Sequence, residues 1–389
     1  MALRDKLRRL GAAGAVRGSY RPSTEARPSN SGDGVEVIRA RYALSHRRGY
    51  DALGESLKAV SDDGEGIDPA ETVWLDTETT GLAGGTGTYV FLVGLASLEG
   101  EALIVEQFLL RRLSAEVRLL SILQERLAHA KRLVTFNGQR FDWPILEARF
   151  ILARLRPSEI ELHTDLIHPA RRLWHRVLGT HRLGALETSI LGTSRAGDIP
   201  GWEIPMVYVQ YLRTSERAAL DPVLEHNRAD LLALVSLHGR VVRVLHDPAG
   251  TSGPIDWEGA GVLLMYRGNH GRAVQCFERA LHTRMEPRDR WRTLRRCVSA
   301  YRALGDVPRG AALWEEAARS WSGTDRYRAQ VLFEVARVRE QAGDRVGARE
   351  AAEESLRVAL ASLHGVTPCL PTFMERLNRK VTRLTRPLA

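Results

Sequence analysis

Hydrophobic and polar positions change rhythm three times along this chain. Through residues 1–70 they form short, interrupted pieces. Leu3–Leu10 is spaced as one short basic helix, Val35–Tyr42 reads as a strand, and Tyr50–Val60 is amphipathic. Residues 17–34 are rich in Pro, Ser, Gly and Asn, which favours disorder, and Ser61–Gly66 reads as an acidic linker. Residues 1–70 are therefore expected to be a partly disordered N-terminal extension.

From Thr72 the pattern becomes α/β. Val73–Thr79, Tyr89–Leu98 and Ala102–Leu110 are strand-like, with the glycine-rich Gly81–Gly87 and then Glu99-Gly100 between them. Short glycine turns join such strands as an antiparallel meander. The glycine run lacks the Gly-Lys-Ser/Thr ending of a phosphate-binding P-loop. Ala115–Ala130 repeats apolar residues with a helical period, Arg132–Asn137 is a strand, and Phe141–Leu155 a helix with Pro144 in its first turn. The resulting order, βββαβα, is that of an RNase H-like core with a mixed sheet. Shorter helical pieces follow at 165–174, 183–191 and 205–212. Asp221-Pro222 is expected to cap a long helix reaching about Leu245. Residues 71–246 are thus expected to form one α/β domain, and 247–256 a linker.

The third rhythm is a repeat. Gly268-Asn-His-Gly-Arg-Ala273, Gly305-Asp-Val-Pro-Arg-Gly310 and Gly343-Asp-Arg-Val-Gly-Ala348 align, with a small residue at each sixth position. Small residues where helices cross are how helix pairs stack into a solenoid. Residues 257–389 are expected to be an all-α, tetratricopeptide-like (TPR-like) repeat region, with an ordinary helical bundle as the alternative.

Charge sharpens this division. The formal net charge is +9. Residues 71–250 carry 20 basic and 21 acidic side chains, whereas 251–389 carry 24 basic against 16 acidic. A basic surplus in the last third can hold a polyanion, or it can be the solvated face of arginine-rich helices. Cys276, Cys297 and Cys369 are scattered, with no C-x-x-C pair, which argues against a disulfide framework or thiolate zinc site and for a reducing, cytoplasmic setting. Apolar runs are too short to span a bilayer, and no signal peptide is read at the N-terminus.

The candidate chemistry lies in carboxylates. Asp76 and Glu78 sit two apart on the first strand of the meander, so both point to one face. Asp142 stands in the first turn of a helix just after a strand. Asp230 lies four residues after His226 on one face of the long helix. Four acids converging from these elements suit a pair of Mg²⁺ or Mn²⁺ ions, hard cations that take oxygen ligands. Two such ions about 3.5–4 Å apart can activate a water and stabilise the leaving oxygen of a phosphodiester. His226, with an ordinary imidazole pKa of about 6.5, suits the role of general base. The histidines at 163, 168, 175 and 181 do not have the spacing of a zinc site.

Asp76-x-Glu78, Asn137-x4-Asp142 and His226-x3-Asp230 resemble the three Exo motifs of the DEDD (DnaQ-like) 3′–5′ exonucleases. Asp165–Trp174, Arg195–Gly201 and Val223–Asp230 resemble one branch of these, the YprB-like proteins, some of which carry a tetratricopeptide tail. The resemblance covers about 73–245. It implies an RNase H-like fold, two metal ions held by Asp76, Glu78, Asp142 and Asp230, and 3′–5′ exonuclease action on single-stranded DNA or RNA. The third motif has His-x3-Asp where these families usually show His-x4-Asp or Tyr-x3-Asp.

Further candidates face nucleic acid. Asn137 lies in the second motif, and Arg140 is placed to contact the scissile strand. Arg171, Arg172 and Trp174 mix guanidinium and aromatic groups suited to phosphate contact and base stacking, unless Trp174 points inward on an amphipathic helix. Asp165 is read as a helix cap, the alternative being an acid that supports the site from behind the metal ligands. The leading function is a two-metal 3′–5′ exonuclease whose repeats hold nucleic acid or a protein partner. The alternatives are a non-catalytic adaptor and an endonuclease acting on a structured junction.

Overall fold

The computed structural model describes residues 27–30, 34–81, 87–195, 197–362 and 369–386. The expected Leu3–Leu10 helix and most of the glycine-rich turn lie outside these residues. In chain order, β1 (Arg27–Asn30) and β2 (Val35–Ala43) precede a small ribbon of β3 (Arg47–Arg48) and β4 (Asp51–Ala52), then helix α1 (Leu53–Ser61). The meander follows as β5 (Thr72–Thr79), β6 (Val90–Glu99) and β7 (Ala102–Leu110). After it come α2 (Glu116–Leu127), β8 (Arg132–Thr135), α3 (Asp142–Leu152), β9 (Leu162–Asp165) and α4 (Ile167–Leu178).

These strands make one seven-stranded sheet in the order β1-β2-β7-β6-β5-β8-β9. β5, β6 and β7 pair antiparallel, as expected, whereas β8 lies parallel to β5 and β9 parallel to β8. β9 was not expected from the pattern. It is four residues long, Leu-His-Thr-Asp, and only its last residue is buried, so it carries no apolar run.

The N-terminal extension needs correcting. Val35–Ala43 pairs along its whole length with β7, from Val35 opposite Leu110 to Ala43 opposite Ala102. Arg27–Asn30, within the stretch expected to be disordered, adds a further strand on β2. α1 buries Leu53, Leu57 and Val60 against the sheet, so residues 35–61 build the core. The acidic linker is anchored too. Asp63 makes a 2.7 Å ion pair with Arg132, whose side chain is fully buried on β8.

Both faces of the sheet are covered, which is why every residue of β7 is buried. A short helix α5 (Leu183–Leu186) runs into a π turn over Glu187–Leu191 and is followed by α6 (Ile204–Thr214) and the long α7 (Asp221–His246). On one face, Trp74, Ala96, Leu103 and Val105 pack with α1, α4 and α7. On the other, Leu75, Val93, Leu95 and Phe108 pack with α2, α3 and α6. Trp74 thus shares the α7 face with Asp76 and Glu78, by the two-residue alternation of a strand. Asp221 is not the cap of α7. A 3₁₀ turn over Arg217–Leu220 leads directly into the helix, and Asp221, already helical, pairs with Arg217 at 2.7 Å.

The C-terminal region is helical: α8 (Trp257–Tyr266), α9 (His270–Leu281), α10 (Pro287–Ala303), α11 (Val307–Ser320), α12 (Arg326–Gln341), α13 (Arg345–Ser362) and α14 (Pro371–Thr385). The first six form three helical hairpins. Each repeated glycine sits at a hairpin turn with positive φ: 71° at Gly268, 81° at Gly305 and 83° at Gly343. The next residue then caps the second helix, Asn269 accepting from Arg272, Asp306 from Arg309 and Asp344 from Gly347. Residues 247–256 are not a free tether. Asp256 donates its N–H to the Leu173 carbonyl at 2.8 Å and pairs with Arg176 at 2.7 Å. A Cβ on Gly259 would lie 1.9 Å from the Arg172 carbonyl oxygen, so α8 seats directly on α4. The three cysteines are free and buried, and no helix among the described residues is long and apolar enough to cross a membrane.

Asp63→Ala strands a buried guanidinium and should cost about 3–5 kcal/mol of stability. Denaturant melts of the variant and wild type measure it, and an unchanged midpoint would mean that Arg132 is satisfied without Asp63.

Candidate functional site

The site forms where β5 emerges from the sheet. The strand is buried from Thr72 to Leu75 and half-buried from Asp76 on, so the two acids stand at the edge of the core. Opposite Asp76 on β6 is Gly94, and opposite Gly94 on β7 is Gln107. Asn227 of α7 descends into this row, and a Cβ on Gly94 would come within 2.3 Å of its Oδ1. Gln107 donates to that Oδ1 at 2.9 Å and to the Leu224 carbonyl at 2.8 Å. The Asn227 amide in turn donates to Asp76 Oδ2 at 2.8 Å. Three strands and one helix therefore fix the first carboxylate.

Asp142 enters from the first turn of α3, where Thr77 Oγ1 donates to its Oδ1. Asp165, at the end of β9, holds the loop before it. Its carboxylate accepts from the backbone N–H groups of Asn137 (2.6 Å), Gln139 (3.1 Å) and Ile167 (3.1 Å). The last bond ties the start of α4, but the N-cap of that helix is Leu166, so Asp165 lies one residue before the cap and is not the expected cap. The other two hold Asn137 at a φ of +69°, a left-handed conformation asparagine tolerates better than most residues.

α7 brings His226 and Asp230. His226 Nε2 lies 3.5 Å from Asp230 Oδ2 and 4.0 Å from Glu78 Oε1. Burial, then the charges of Asp230, Glu78 and Asp142, push the Asp76 carboxyl well above its ordinary range, against the pull of Asn227. Glu78 is raised well above its range by burial and by Asp230, Asp142 and Asp198. Asp142 is raised chiefly by burial, with Thr77 opposing. The four expected acids and His226 are thus close enough to feel one another.

Two residues without an expected role complete the constellation. Asp198 sets both oxygens on His226 Nδ1, at 2.8 and 3.0 Å. Arg195 ion-pairs with Asp230, with Asp198 at 3.2 Å, and with Glu187, whose side chain is fully buried in the π turn. Arg48, from the N-terminal ribbon, also reaches Glu187 and donates to the Ala229 carbonyl at 2.9 Å. Arg195 and Asp198 belong to a stretch the resemblance singles out, but only the fold shows that they meet His226 and Asp230. Arg48 carries no sequence signal of its own.

The nucleic-acid candidates divide. Arg140, Arg171 and Arg172 are exposed, and Asn137 is half-buried beside the site. Trp174 is fully buried in the core against α8, so it cannot stack on a base. The amphipathic period of α4 turns it inward.

Among the described residues, no three His, Cys, Asp or Glu side chains stand close enough to grip an ion as they are. The chemistry of the donors nonetheless fits a hard divalent cation. They are carboxylate oxygens crowded at low exposure, and Arg195 is the cation paired with one of them.

Residues 73–242 match the family model RNase_H_2, described as RNase_H superfamily. The uncharacterized protein YprB of Bacillus subtilis (strain 168) is 32% identical over 362 residues, which cover 88% of this chain and 86% of YprB. Among solved structures, the family B DNA polymerase from the hyperthermophilic archaeon Pyrobaculum calidifontis overlays at a TM-score of 0.37 with 15% identity. That overlay takes in 54% of this chain and 29% of the polymerase, too loose a likeness to carry an argument. The chain therefore belongs to the same family as YprB, with residues 73–242 forming a domain of the RNase H superfamily.

Proposed function

We propose that this protein is a metal-dependent 3′–5′ exonuclease acting on single-stranded DNA or RNA. The observation that carries the reading is the convergence of four mutually repelling carboxylates and one imidazole on an RNase H superfamily fold. Asp76, Glu78, Asp142 and Asp230 would hold two Mg²⁺ or Mn²⁺ ions. Bound there, such ions supply the positive charge that activates water and stabilises a leaving phosphodiester oxygen. The tetratricopeptide nature of the helical hairpins and a cytoplasmic location belong to this reading as well.

The chain's own groups do the rest. Asn227 orients Asp76, Thr77 orients Asp142, and Arg195 holds Asp230. His226 Nε2 faces the carboxylates and takes a proton from the attacking water. Asp198 accepts the Nδ1–H and keeps the free nitrogen at Nε2. The His-x3-Asp spacing is compatible with this, because four residues along a helix keep both side chains on one face. Exposed Arg140, Arg171 and Arg172 offer phosphate contacts. In the adaptor alternative the carboxylates take no ion.

A 3′-labelled oligonucleotide should lose its label in Mg²⁺ or Mn²⁺, and Asp76→Asn or Asp230→Asn should abolish the release. Activity surviving in both variants refutes the assignment. Circular single-stranded DNA should resist digestion, since cleavage of a circle would mean endonuclease action. Asp198→Asn should lower kcat by about 10- to 100-fold with little change in KM.

Stability gives a readout independent of turnover. The Asp76 carboxyl has its folded pKa raised, so its contribution is most favourable below the ordinary carboxylate pKa and is lost as pH rises through the folded value. At neutral pH, without metal, Asp76→Asn should melt higher than wild type. Mn²⁺ should raise the wild-type Tm and leave an Asp76→Asn/Asp230→Asn double variant unmoved. A metal-free Tm lower in Asp76→Asn, or Mn²⁺ stabilising both proteins alike, goes against the site.

A further inference from the structure

The first helices of the second and third hairpins, α10 and α12, enclose a groove of about 590 Å³. Arg288, Arg292, Arg295, Arg296 and Arg326 line it, with Trp291 and Tyr327 among them and no acidic side chain. On α10 the lining recurs at three- and four-residue steps, the signature of one helix face. A second cavity of about 260 Å³ shares Trp291, Arg295 and Gln330 and adds Arg376 together with one acid, Glu334, which pairs with Arg337.

The arginines are of two kinds. Arg292 and Arg296 grip the buried Glu258 of α8, and Arg176 of α4 binds the same carboxylate at 2.9 Å. With Asp256 and Asp289 beside them, these three guanidiniums are balanced by three acids. Their work is structural, tying the groove to α4, the helix that exposes Arg171 and Arg172. Arg288, Arg295 and Arg326 make no ion pair among the described residues, and Arg295 and Arg326 lie against the rings of Trp291 and Tyr327. The groove therefore holds unneutralised planar cations around one half-buried aromatic ring, Trp291, while Tyr327 is packed into the core beneath Arg326.

We propose that this groove binds the phosphate backbone of a single-stranded nucleic acid, upstream of the end engaged at the carboxylates. Guanidinium forks match phosphate oxygens, and the half-buried Trp291 ring between them accepts a stacked base without regard to sequence. The clause about the engaged end rests on the exonuclease reading, whereas binding in the groove does not. An acidic protein segment is the rival occupant. It would use the charge but has no planar bases for Trp291 to stack on.

The test is fluorescence anisotropy of a labelled 20-nucleotide oligo(dT) and oligo(U), titrated with the full-length protein in EDTA so that cleavage is absent. Arg288→Glu/Arg295→Glu changes two exposed helix positions, and Arg319→Glu, exposed on α11, serves as the control. The double variant should bind about tenfold or more weakly, with its salt slope reduced by about 1.4 for two lost single-strand phosphate contacts, and the control should match wild type. Circular dichroism melts verify that the variants fold. Equal affinities for the double variant and wild type overturn the proposal. So does displacement of the oligonucleotide by poly-glutamate at concentrations no higher than unlabelled oligo(dT) requires, which would favour an acidic protein segment. Binding that depends on the groove arginines in a protein with no nuclease activity upholds the groove and removes the exonuclease reading. Nuclease activity with binding indifferent to the groove arginines does the reverse.

Discussion

The local architecture of the α/β domain answers one electrostatic problem. Four carboxylates are brought to low exposure around the end of β5, where burial and the neighbouring negative charges raise the proton affinity of Asp76 and Glu78. A fold does not assemble such a cluster through hydrophobic burial alone, because each ionised acid opposes the next. What holds it is neutral and cationic scaffolding. The Asn227 amide reaches Asp76 from a helix pressed onto Gly94, and the Arg195 guanidinium reaches Asp230 from a loop anchored on buried Glu187. Everything that positions α7 against β6 therefore also positions the site.

That dependence extends into the first seventy residues. Arg48 shares Glu187 with Arg195, so the N-terminal ribbon sits three ion pairs from Asp230. α1 packs so closely on α7 that a Cβ on Gly239 would lie 2.5 Å from the Ser56 backbone. On the far side, α4 is clamped to α8 through Arg176, Glu258 and the Asp256 backbone. The catalytic candidates, the N-terminal segment and the helical hairpins are in this way mechanically continuous.

The meander and the long helix were legible because their apolar residues recur with periods of 2 and 3.6. The carboxylates were legible because Asp76 and Glu78 must share a strand face, and His226 and Asp230 a helix face. The repeats announced themselves through glycines that the hairpin turns need at positive φ. Less could be read where the signal is tertiary. β9 is short and half-exposed, and β2 lies far in sequence from its partner β7, so neither membership shows in local pattern. Trp174 sits among arginines in sequence, but its side chain is turned into the core while Arg171 and Arg172 are exposed. Asn227 and Asp198 are ordinary polar residues until the fold sets one beside Asp76 and the other beside His226.

The central claim, that this carboxylate cluster is a divalent-cation site, is tested most directly by anomalous diffraction from crystals soaked in Mn²⁺. The account predicts anomalous density bounded by Asp76, Glu78, Asp142 and Asp230, and none there in an Asp76→Asn/Asp230→Asn crystal. Wild-type crystals soaked in Mn²⁺ that show ordered carboxylates and no anomalous density among them would contradict it.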